Sequence, residues 1–89
     1  MLRLEILSRT PEEAILKVEG WIAEEGVLLL EQQGRQMRQE AKHLVLDLQG
    51  VRSIDRAGVA LLKCWTQDGV ALRRPSPFVQ ALLETHGLA

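Results

Sequence analysis

The stretch "LVLDLQGVRSIDRAGVALL", Leu44–Leu62, decides how this chain folds. Its opening run, His43 to Leu48, is apolar on both alternating faces except at Asp47, the pattern of a strand covered from both sides. A short turn, "GVRSI", is expected next, and from Asp55 the spacing changes. Gly58, Leu61, Leu62 and Trp65 fall at steps of three and four, one face of a helix. Asp55 stands where an N-cap side chain accepts a hydrogen bond from an amide of the first turn. Arg56 follows at a position where the helix dipole disfavours a cation by about 0.3–1 kcal/mol. The seam "DRAG" is therefore a helix start that also gathers an acid, an arginine and a glycine.

The flanking sequence supplies the rest of the sheet. Leu2, Leu4 and Ile6 alternate with Arg3 and Glu5, as in a half-buried strand. Thr10-Pro11-Glu12-Glu13 makes a turn, because proline presets one backbone angle and cannot continue a ladder. Ala14, Leu16 and Val18 then alternate with Ile15, Lys17 and Glu19, a second strand ended by Gly20. The connection is too short for a crossover, so the two strands pair antiparallel.

From Glu24 to Ala41 the residues Val27, Leu30, Gly34, Met37 and Ala41 lie on one helical face. Gly34 in that interior costs about 1 kcal/mol relative to alanine unless close packing requires it. Glu24 and Glu25 near the start, and Arg38 and Lys42 near the end, suit the helix dipole.

After Trp65, Asp68-Gly69 ends the second helix and Val70–Leu72 forms a short strand. "PSPFVQALLETHG" is a punctuated helix with Ser76 as N-cap, Pro77 in the first turn and Gly87 as C-cap. Phe78 and Leu82, with Val79 and Leu83, are assigned to its inner face. The order ββαβαβα predicts an α/β fold: one domain over residues 1–89, with a mixed four-stranded sheet and helices packed mainly on one face.

With 89 residues there is room for a single core, and 46% apolar with 26% charged residues is a globular composition. A net charge of -1 gives no electrostatic reason for nucleic acid or an anionic membrane as partner. The Arg73–Arg74 pair reads as solvated surface. The longest apolar run, "VLLL", is far too short to span a bilayer, so no direct membrane insertion is expected. Cys64 is the one cysteine, which rules out an intrachain disulfide and fits a reducing cytoplasm; its helical setting assigns it to the core.

Catalytic chemistry finds little to stand on. Asp47 and Asp55 could pair as carboxylates, but His43 would need to fold back from the strand start and His86 lies in the last helix. No zinc-ligand spacing and no phosphate-binding glycine loop is present. Trp21 and Trp65 are assigned to packing. No catalytic residue, metal or cofactor is expected.

The element order and the seam together resemble the STAS domain, the family of sulfate transporters and anti-sigma factor antagonists. Its hallmark is an apolar strand ending in aspartate, then a "GV..ID" turn, then Asp-Ser-x-Gly opening a helix. Here those parts are "LVLDL", "GVRSID" and "DRAGVALL". The resemblance implies a non-enzymatic protein-binding module. Its expected surface is Asp55, Arg56, Ala57, Gly58 and Val59, and its expected partner an anti-sigma factor that is also a serine kinase. The alternative is an accessory subunit docked on the other subunits of a membrane transporter. In antagonists of the family the residue after the motif aspartate is a phosphorylated serine. Arg56 takes that place and has no hydroxyl, so the usual phosphosite is lost. Ser53 is the nearest hydroxyl; an ordinary turn serine is preferred over a displaced phosphosite. Arg56 itself either rests on the surface, pairing with Asp47 or Asp55, or reaches an acidic patch on a partner.

Overall fold

Alternating apolar residues at the start of the chain build a hairpin, and the helical spacings that follow close two crossovers onto it. The computed structural model describes residues 1–88. In order they form β1 (Leu2–Arg9), β2 (Glu13–Ile22), α1 (Glu25–Glu40), β3 (His43–Ile54), α2 (Arg56–Gln67), β4 (Ala71–Arg73) and α3 (Pro77–Thr85). The sheet order is β1-β2-β3-β4. β1 and β2 pair antiparallel from Leu2↔Gly20 to Arg9↔Ala14, whereas β2–β3 and β3–β4 are parallel.

β3 is longer than its sequence suggests. The segment expected to be a turn, "GVRSI", is strand: Gly50, Val51, Ser53 and Ile54 pair with Glu19, Gly20, Trp21 and Ile22. Gly20 likewise does not end β2. It sits within the strand at φ +93, where a β-carbon would collide with the Met1 carbonyl. β3 absorbs an extra residue at each of two register shifts, between Lys17 and Glu19 and between Gly20 and Trp21. Such bulges bend a strand and re-aim its side chains. β4 begins and ends one residue later than expected, at Ala71 and Arg73.

Leu16, Val18 and Ile22 of β2, Leu44, Leu46 and Leu48 of β3, and Leu30, Met37, Leu62, Trp65, Val79 and Leu83 of the helices share one buried cluster. Three expected core residues lie outside it. Cys64 is exposed, because it stands about 200° around the helix from Leu62, on the face opposite the buried stripe. Phe78 is 63% exposed. In α3 the inward pair is Val79 and Leu83, four residues apart, and this turns Phe78 outward while Leu82 stays half-buried. Trp21 is 53% exposed, since strand alternation gives the inward position to its neighbour Ile22.

The helix ends follow the expected punctuation. The Ser76 side chain accepts from the Val79 amide, with Pro77 opening α3. At the other end Gly87 takes φ +76, and the Leu88 and Gly87 amides donate to Leu83 and Glu84 carbonyls, closing the helix after its cap His86.

Candidate functional site

The start of α2 is fixed by Asp55. Its amide donates to the Ile22 carbonyl at 3.0 Å, extending the β2–β3 ladder to the last residue before the helix. Its side chain then bridges two elements. Oδ1 accepts the Gly58 amide at 2.7 Å, the N-cap bond of α2. Oδ2 accepts the Glu24 amide at 3.1 Å, from the turn that opens α1. The Gly58 amide first, and then the Glu24 amide, hold the Asp55 carboxyl below the ordinary range.

That second bond falls on a residue in an uncommon conformation. Glu24 has φ 54 and ψ -123, the first central position of a type II′ turn, where glycine is usual. The turn is closed by the Gly26 amide donating to the Ala23 carbonyl at 2.9 Å. Glu24 caps α1 without any side-chain bond of its own, so the carboxylate of Asp55 fixes this amide from outside.

Gly58 is required by packing: a β-carbon there would stand 2.8 Å from the Ile22 and Ile54 methyl groups and from the Ile22 carbonyl. The five residues expected to form the docking surface therefore divide. Arg56 and Ala57 are exposed and Asp55 is half-buried, while Gly58 and Val59 lie in the interior and form the base beneath them. Ser53 is exposed at the end of β3 and paired in register with the exposed Trp21 of β2.

Arg56 pairs with neither of the aspartates considered for it. Among the described residues it enters no ion pair, and Asp47 is engaged elsewhere. Asp47 is fully buried in mid-strand. One oxygen accepts the Gln49 amide at 3.1 Å, and the other accepts from Arg73 at 3.3 Å and from Arg74 at 3.1 and 2.6 Å. Burial raises the Asp47 pKa, but Arg74, the Gln49 amide and Arg73 together outweigh it and hold the carboxyl below its ordinary value. Arg73 and Arg74 are thus not merely solvated surface. A carboxylate within an apolar strand needs a cation, and the parallel register Asp47↔Arg73 supplies it. Pairing of β4 with β3 was the one signal that could have shown this in advance.

Asp47 and Asp55 share no partner, and among the described residues no group of three His, Cys, Asp or Glu side chains could hold a metal ion. Among the described residues no helix is long and apolar enough to cross a membrane.

An antiparallel hairpin extended by two parallel strands, with a capped helix start and an exposed arginine in the first turn of α2, defines a small α/β domain. The family model described as "Mlab, STAS domain" matches residues 6–89, and the chain belongs to the STAS family. Among solved structures, one titled as the anti-sigma factor antagonist SpoIIAA in its unphosphorylated form is similar in fold. Its TM-score is 0.75 at 16% identity, over 97% of this chain and 82% of that one. Comparison with curated proteins gave no match.

Proposed function

We propose that this chain is a non-catalytic regulatory module of the anti-sigma factor antagonist type. It docks in the cytoplasm on an anti-sigma factor or switch kinase through the start of α2. The observation that supports this reading most is the exposed pair Arg56–Ala57, held at a capped helix start by Asp55 and by the packed Gly58. In the family motif that position carries the serine whose phosphate, with about -1.5 to -2 charges, weakens the docked interface. Arginine brings the opposite charge and no hydroxyl. The surface of this chain is therefore open to its partner without a phosphorylation cycle, and it suits a carboxylate on the opposing face.

A second reading, an accessory subunit docked on the other subunits of a membrane transporter, draws on the same residue. A permanent subunit has no use for a phosphorylatable hydroxyl at its contact. Titration of the purified anti-sigma serine kinase of the same organism separates the two. A one-to-one complex supports the first reading; no complex with the kinase, but co-elution with a transporter ATPase, supports the second.

A further inference from the structure

We propose that the free edge of β1 pairs with the β1 edge of a second copy of this chain, antiparallel about a two-fold axis at Leu4, and so joins the two sheets. β1 is an outer strand, and among the described residues no strand lies beyond it. The Trp21 amide donates to the Met1 carbonyl, and alternate residues of an antiparallel strand turn their backbone groups to the same side. Arg3 and Glu5 therefore direct their amides and carbonyls to β2. Leu2, Leu4 and Ile6 present theirs to the open edge, a template for a further strand. This run ends at the bulge between Ile6 and Ser8.

The side chains of the run are left half-covered by the fold. α1 lies over β2 and β3. Leu16 and Val18 of β2 are fully buried, yet their register partners on β1 are not: Ile6 is exposed and Leu4 only half-buried. The inner apolar layer of the sheet thus runs out uncovered at this edge. On the outer face the cross-strand pairs are Arg3 with Glu19 and Glu5 with Lys17.

Together these features select a second copy and a single register. With the axis at Leu4, Leu4 meets the partner's Leu4 and Leu2 meets the partner's Ile6. All of these carry edge-facing backbone groups, so the ladder closes, and on the inner face the apolar layer continues across the seam. On the outer face Arg3 meets the partner's Glu5, and Glu5 the partner's Arg3. The charged row then reads Glu19, Arg3, the partner's Glu5, the partner's Lys17, with the sign alternating throughout. Moving the axis by one residue sets Arg3 against the partner's Arg3 or Glu5 against the partner's Glu5, like charges directly opposite. Read backwards, Leu2–Ile6 is its own complement, which an isologous contact requires.

Sedimentation equilibrium of the full chain between about 10 μM and about 1 mM should show a reversible monomer–dimer equilibrium. Glu5→Arg and Arg3→Glu each turn both seam pairs from opposite to like charges, and each should weaken association by about tenfold or more. Mixed in equal amounts, the two variants carry opposite charges at both seam pairs and should associate with each other as wild type does with itself. In wild type the Leu2, Leu4 and Ile6 amides should exchange more slowly as concentration rises. A chain that stays monomeric over that range would overturn the proposal, as would a dimer that neither variant weakens. If a variant fails to fold, the wild-type exchange decides: edge amides whose exchange does not slow with concentration overturn it. Arg56 follows β3, which β2 and β1 separate from the seam, so Arg3→Glu should leave the affinity of the α2 start unchanged. Failure of the docking role there would leave this proposal standing.

Discussion

The indole of Trp65 in α2 lies against Gly34 in α1 so closely that a β-carbon on residue 34 would stand 2.8 Å from Cζ3 and 2.9 Å from Cζ2. An interior glycine is thus what lets the two helices meet over the sheet, and Trp65 is only 5% exposed beneath that contact. Helix propensity alone favours Gly34→Ala by about 1 kcal/mol. The contact predicts the opposite sign: overpacking against the ring should destabilise by about 1–3 kcal/mol. Trp65→Ala should cost on the order of 3–5 kcal/mol. Denaturant unfolding of both variants checks this, and Trp65→Phe should suppress part of the Gly34→Ala loss. A more stable Gly34→Ala variant would mean that the helices do not touch there.

Most of the fold was legible because its local signals agree with one another. The alternation Ala14, Leu16, Val18, the helical stripe Leu30, Gly34, Met37 and the Ser76–Pro77 start all occur where their periods place them. The misreadings have local causes too. "GVRSI" looks like a turn because Gly50 and Ser53 are turn residues, yet a long partner strand and two bulges keep it in the sheet. Phe78, Cys64 and Trp21 are apolar residues whose angular position, not their chemistry, exposes them. Of the site, the Asp55 cap could be read from the motif. Its bond to Glu24 could not, since it joins residues 31 apart in sequence through the tertiary fold.

Acid should destabilise the protein through two aspartates. Both Asp47 and Asp55 have pKa values lowered from the ordinary 3.8. A depressed folded-state pKa contributes stability that is fully present above the unfolded value and is lost as pH falls through the folded one. Stability should therefore hold from neutral pH down to about 4–5 and decline below, as these carboxylates become protonated. Asp47→Asn should lower stability at pH 7 by about 1–3 kcal/mol and flatten the acid limb. The estimate is modest because Arg73 and Arg74 are themselves partly exposed and regain water when the carboxylate is gone. Urea midpoints measured from pH 3 to 7 test this; identical acid limbs in wild type and Asp47→Asn would remove Asp47 as the cause.

No phosphate should be taken up at the start of α2. Incubation with the anti-sigma serine kinase and ATP, followed by intact-mass measurement, should show an unchanged mass. Arg56→Ser restores a hydroxyl after the aspartate, at an exposed first-turn position, and should gain one phosphate. Stoichiometric phosphorylation of the wild-type chain at Ser53 would show that the switch has moved rather than been lost.

The central claim, that Arg56 lies in a protein-docking surface, is tested most directly by the affinity of Arg56→Glu for the anti-sigma serine kinase. The substitution should leave the fold intact, because the side chain is exposed and an acid near a helix N-terminus is slightly favourable. It reverses the charge facing the partner, and loss of a desolvated charge pair there should weaken binding by about 2–5 kcal/mol. Arg3→Glu, an exposed charge reversal on β1, serves as control and should bind as wild type does. Calorimetry that finds Arg56→Glu weakened and Arg3→Glu unchanged supports the account. Equal affinity of wild type and Arg56→Glu would contradict it and place the interface elsewhere on the molecule.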